Sequence, residues 1–108
     1  KRESIVDSLK NFVLENYNTD ITLEELAEKH YFLHVSYLSK IFKAAVGESF
    51  SKYLLRVRMD KAKKLIMDGN LKISDIAGFV GYNSVSHFVQ AFRKFYGVTP
   101  GEYKSNKE

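Results

Sequence analysis

Residues 73–103, ISDIAGFVGYNSVSHFVQAFRKFYGVTPGEY, decide how the rest of the chain is read. Ile76, Ala77 and Val80 make the apolar side of a short helix, which a tight turn at Gly81 ends. A second helix begins near Ser84 and stops at Gly97. Its Val85, Phe88, Ala91, Phe92 and Phe95 recur at the spacing of one buried face. Ser86, Gln90, Arg93 and Lys94 fall on the opposite face. A short helix, a turn and a second helix with an exposed polar and basic face have the form of a helix-turn-helix, whose second helix enters a DNA groove.

A shift of 50 residues lays this stretch over an earlier one without a gap. Leu23 falls on Ile73, Leu26 on Ile76, Ala27 on Ala77, Val35 and Ser36 on Val85 and Ser86. Leu38 falls on Phe88, Phe42 on Phe92, Lys43 on Arg93, Gly47 on Gly97 and Tyr53 on Tyr103. Repetition of a core face alone would be a packing signal. Repetition of the outward polar positions as well implies two copies of one reading device.

Helices are expected over residues 4–17, with Ile5, Leu9, Phe12, Val13 and Tyr17 inward, and from Thr22, a capping box with Glu25, to about residues 30–32. A third covers 35–46, with Leu38, Ile41, Phe42 and Ala45 inward. A long one covers 49–67, with Phe50, Tyr53, Leu54, Val57, Ala62, Leu65 and Ile66 inward. Gly47 ends the third in a left-handed cap, and Gly69 with Asn70 ends the long one. Thr99-Pro100-Gly101-Glu102 caps a last short turn, followed by a polar, frayed tail from Lys104. The fold class is therefore all-α, about seven helices: a first subdomain at 4–48, a linker helix at 49–67 and a second subdomain at 70–105.

Composition agrees with one small globular domain: 44% hydrophobic residues, eight Phe and seven Tyr in 108 residues. Without cysteine there is no disulfide, Cys-ligated zinc or thiol nucleophile. No run reaches membrane-spanning length and no secretory signal is visible. The start at Lys1 suggests a piece of a longer protein. The net charge of +4 is unevenly spread, residues 31–64 holding eight basic and two acidic groups, which suits a polyanion.

Enzymatic chemistry finds no support. Glu24, Glu25 and Glu28 suit the N-terminus of a helix, and no nucleophile motif or phosphate loop is visible. His30 and His34 are four apart but straddle a turn, and no third ligand completes a metal site. Neither a catalytic residue, a metal nor a cofactor is expected.

The motifs Leu23-x-x-Leu26-Ala27, Tyr37-Leu38-Ser39-Lys40-x-Phe42-Lys43, Gly47-x-Ser49-Phe50 and Arg58-x-x-x-Ala62 resemble the first half of the DNA-binding domain of AraC/XylS-type transcriptional regulators. Ile73-x-Asp75-Ile76-Ala77, Val80-Gly81-Tyr82, Phe88-x-x-x-Phe92-Arg93-Lys94 and Gly97-Val98-Thr99-Pro100-x-x-Tyr103 resemble its second half. The resemblance covers residues 5–104. It implies two helix-turn-helix subdomains joined by a long helix, sequence-specific binding of promoter DNA and transcription regulation in a bacterial cytoplasm. Carried over, the base-facing positions are Ser36, Ser39 and Lys40, then Ser86, Val89 and Gln90. Lys43, Arg93 and Lys94 fall nearer the DNA backbone, with His87 flanking them. The implied partners are double-stranded DNA, RNA polymerase and a separate sensing or receiver domain in the parent protein, with no membrane.

In that family the first turn is commonly one residue shorter than the second; here the two are equal in residue count, with residues 31–34 filling the first. Gln90 can present its amide to adenine N6 and N7, Lys40 can donate to guanine O6 and N7, and Val89 can pack on a thymine methyl. Lys52, Arg56, Lys63 and Lys64 are further phosphate candidates, and Asp75 is a candidate partner for Arg58. A linker helix of about 19 residues spans about 28 Å, comparable with the roughly 34 Å between successive major-groove segments. The competing reading is an all-α protein-interaction module without DNA readout.

Overall fold

The computed structural model describes residues 2–106, in which every regular element is helical. Seven helices follow one another: α1 (Arg2–Asn16), α2 (Leu23–Leu26, continuing as a wider π-type turn over Ala27–Tyr31), α3 (Val35–Val46), α4 (Phe50–Asp68), α5 (Ile73–Phe79), α6 (Val85–Tyr96) and α7 (Pro100–Asn106). Of the polar tail, Lys104–Asn106 belong to α7, and residues 107–108 lie outside the described residues. The chain divides into two compact units between Val57 and Arg58, inside α4. The expected linker helix is thus shared: its first half packs with the first unit and its second half with the other.

In the first unit Val6, Leu9 and Val13 of α1 meet Leu26, Ala27, Leu38, Ile41, Phe42 and Phe50, all buried. Val6 was not among the inward positions expected for α1; Ile5 and Phe12, which were, pack at the margin. Ala45, expected inward, is exposed, because the last turn of α3 borders an open groove that faces Glu3 and Val6. The second unit is built on Met59, Ala62 and Ile66 of α4 with Ile76, Ala77, Val80, Phe88 and Phe92. Met59 was also missed, while Val85, expected inward, is 42% exposed. As the first residue of α6 its side chain leans toward the N-terminus and past the packed face.

The internal repeat survives in three dimensions. Phe42 meets Tyr53 edge-on at 5.5 Å between ring centroids, and their counterparts Phe92 and Tyr103 do so at 5.9 Å. α3 and α6 each end on a left-handed glycine whose N–H returns to a carbonyl four residues back. Gly47 (φ 91°) bonds Lys43 at 2.8 Å, and Gly97 (φ 85°) bonds Arg93 at 2.7 Å. Even the start of α4 is the counterpart of α7: Ser49 Oγ accepts from Lys52 N as Thr99 Oγ1 accepts from Glu102 N. Only the second copy completes the box, with Glu102 accepting from Thr99 N at 2.9 Å, since Lys52 has no acceptor to offer.

The copies differ at the turn. In the second, Gly81 takes the positive φ of 99° and Tyr82 N–H closes on Ala77 O at 2.9 Å. In the first, the π-type turn carries the helix on to Tyr31, and Phe32 takes the left-handed conformation (φ 54°, ψ 44°). Both Phe32 N–H and Leu33 N–H reach Ala27 O, the carbonyl equivalent to that of Ala77. Tyr31 is therefore not a turn residue. Residues 32–34 lead into α3, where residues 80–84 lead into α6, so equal residue counts conceal a shorter first connection.

Candidate nucleic-acid interface

α3 and α6 owe their orientation to the cores beneath them. Leu38, Ile41 and Phe42 seat α3; Phe88 and Phe92 seat α6. A stack of aromatic rings extends the second anchorage. Tyr96 lies against Phe92 at 4.7 Å and parallel to Tyr103 at 6.5 Å. On the α4 side, Lys63 Nζ sits 5.3 Å from the Tyr96 ring centre, and the Tyr96 hydroxyl donates to Asp60 at 3.4 Å. Arg58, for which Asp75 was the suggested partner, holds its guanidinium 5.5 Å from the ring centre of Tyr82. Burial raises the Tyr82 pKa and the guanidinium counteracts the rise.

With those faces fixed, the opposite faces point to solvent. On α3, Ser36, Ser39, Lys40 and Lys43 are all exposed. At 3.6 residues per turn they occupy an arc of about 100° and about 10 Å of axis. On α6, Ser86, Gln90 and Arg93 are exposed and Val89 is partly buried, on the same arc. Val89 is the one expected base-facing residue that shares its surface with the core side. His87 and Lys94 are exposed along one flank of the α6 arc. The corresponding flank of α3 carries Tyr37 and Ala44, which border the groove beside α1, so the first copy lacks that polar edge.

The two helix starts also differ. Ser84 Oγ accepts from His87 N at 3.2 Å, whereas His34 provides α3 with no side-chain cap. At the other end Lys43 and Arg93 sit in the last turn, where a cation complements the helix dipole. Arg56 is committed elsewhere, forked onto Glu48. His30 faces the Phe12 ring at 5.8 Å, and among the described residues no three His, Cys, Asp or Glu side chains gather as metal ligands. No helix there is long and apolar enough to cross a membrane.

A family model described as a helix-turn-helix domain matches residues 14–106. The chain belongs to the AraC-type helix-turn-helix family. As a member, it is a DNA-binding domain of transcription regulation. It is 35% identical to the C-terminal domain of AraT, a response regulator from Geobacillus stearothermophilus, over 94% of this chain and 84% of that one, with a TM-score of 0.90. The C-terminal domain of the response regulator yesN from Fusobacterium nucleatum is 39% identical over 91% of this chain and 95% of that one, with a TM-score of 0.85. YtdP, an uncharacterized transcriptional regulator of Bacillus subtilis, is 33% identical over 106 residues, 97% of this chain. The chain spans 14% of the length of YtdP and 38% and 36% of the next two curated relatives. By name these relatives are response regulators or a transcriptional regulator.

Proposed function

We propose that the chain reads promoter DNA through α3 and α6, each lying in a major-groove segment of its own, the two segments successive. Ser36, Ser39 and Lys40 face base edges from α3, and Ser86, Val89 and Gln90 do so from α6. Lys43, His87, Arg93 and Lys94 hold the phosphates. The observation that carries this reading is the matched arc: two helices from an internal repeat expose equivalent positions, each above a packed core. Lys40 and Gln90 supply the discriminating groups, because an ammonium suits guanine O6 and N7 and an amide suits adenine N6 and N7. The serines orient and adapt.

In this reading the parent protein works in the cytoplasm and joins the domain to a separate sensing or receiver domain. Bound at a promoter, it presents a surface to RNA polymerase. Selection of duplexes from a random library, followed by footprinting of the winner, tests the docking. Two protected segments one helical turn apart are expected, with an affinity that falls steeply as salt rises. Protection of one segment only would remove the two-helix arrangement. Binding to no duplex, together with a salt-insensitive complex with another protein, would favour an interaction module instead.

A further inference from the structure

Phe32 combines two features that folding alone does not reward. Its backbone is left-handed (φ 54°, ψ 44°), which a residue with a Cβ adopts only against resistance, and its aromatic side chain is 82% exposed. It is the one non-glycine residue with positive φ among the described residues. The second copy avoids both features. There Gly81 supplies the left-handed residue, and Tyr82, the counterpart of Phe32, is tucked 5.7 Å from the Phe88 ring. The π-type turn explains the difference. By carrying the first helix on to Tyr31, it gives the inward place to Leu33, which packs on the first unit's core, and turns Phe32 outward.

We infer that Phe32 is an apolar DNA contact, laid against the deoxyribose-phosphate wall of the groove that α3 enters. This rests on the DNA-binding reading above. The occupant follows from position: Phe32 lies three residues before the first residue of α3, in the connection that leads the helix into the groove. Within the first unit the chain from residue 31 to 57 carries four basic groups and one acidic group, so DNA is favoured over a basic protein surface. Placed outside the helix, the ring meets sugar and backbone rather than base edges. It therefore adds affinity without sequence preference, and without displacing counterions.

The test uses the 108-residue chain, its Phe32→Asn and Phe32→Leu variants, and the tightest duplex selected from a random library. Asn accepts the left-handed backbone, so Phe32→Asn is expected to raise the melting temperature by about 4 °C. The same change is expected to weaken DNA binding about five- to tenfold at every salt concentration, through lost apolar contact. The slope of log affinity against log salt stays as it was, and the loss is equal across single-base-pair variants of the duplex. Phe32→Leu keeps most of the affinity. A gain in stability with unchanged DNA affinity would overturn the inference and return the ring to a protein partner. A loss confined to one base position would overturn the backbone assignment. Absence of binding by the parent chain to any selected duplex would defeat the DNA reading and this inference together, whereas normal binding by both parent and Phe32→Asn defeats the inference alone.

Discussion

Arg56 grips Glu48 with two hydrogen bonds, Nε to Oε2 at 3.0 Å and Nη2 to Oε1 at 2.9 Å, tying the loop after α3 to the first half of α4. The Glu48 side chain is 17% exposed and that of Arg56 is 54% exposed, so water screens the pair. Glu48→Gln is expected to cost only about 0.5 kcal/mol in urea unfolding. The more telling consequence concerns DNA. A neutralised guanidinium releases few counterions, so Arg56→Ala should leave the salt slope nearly unchanged, while Lys43→Ala lowers its magnitude by about 1. Equal effects from the two variants would mean that Arg56 leaves Glu48 for a phosphate.

Acid should weaken the fold through two carboxylates. The hydrogen bond from Arg56 holds the Glu48 pKa below the usual carboxylate range; the bonds from the Thr99 backbone and hydroxyl do the same for Glu102. A depressed folded-state pKa means that the stabilisation is present above the unfolded value and lost as pH falls through the folded one. Denaturant midpoints measured from neutral to acid pH should therefore drop on the acid side. A Glu48→Gln, Glu102→Gln double variant should start lower and fall less. An unchanged acid limb in that variant would assign the loss to other groups.

Helix starts give a paired prediction. Ser84→Ala removes the hydroxyl that accepts from His87 N and should cost about 1 kcal/mol. His34→Ser offers α3 a cap it lacks and should gain about 0.5 kcal/mol. Chemical denaturation of both variants checks the signs; a destabilised His34→Ser would show that the imidazole has a packing role.

The limits of α3 and α6 were legible because a strong 3.6-residue apolar rhythm runs into a glycine in each. Val6 and Met59 lie at the edge of the expected stripes, yet the same rhythm carries them: Val6 stands three and seven residues before Leu9 and Val13, and Met59 three and seven before Ala62 and Ile66. The first turn was hidden. An ungapped repeat preserves residue count, and a π-type turn changes backbone path without changing that count. At the interface the exposed arc was legible from periodicity, apart from the partial burial of Val89. The engagement of Arg56 by Glu48 depends on side chains eight residues apart across a helix start, which no periodic pattern encodes.

In the proposed complex α3 and α6 each read bases. Affinities of the parent chain, Lys40→Ala and Gln90→Ala, measured against every single-base-pair variant of the selected duplex, test this most directly. Each substitution should flatten the preference at its own position, by about 1–3 kcal/mol of discrimination, in a different half of the footprint. Losses uniform across all variants would contradict base readout and leave the two helices as phosphate clamps.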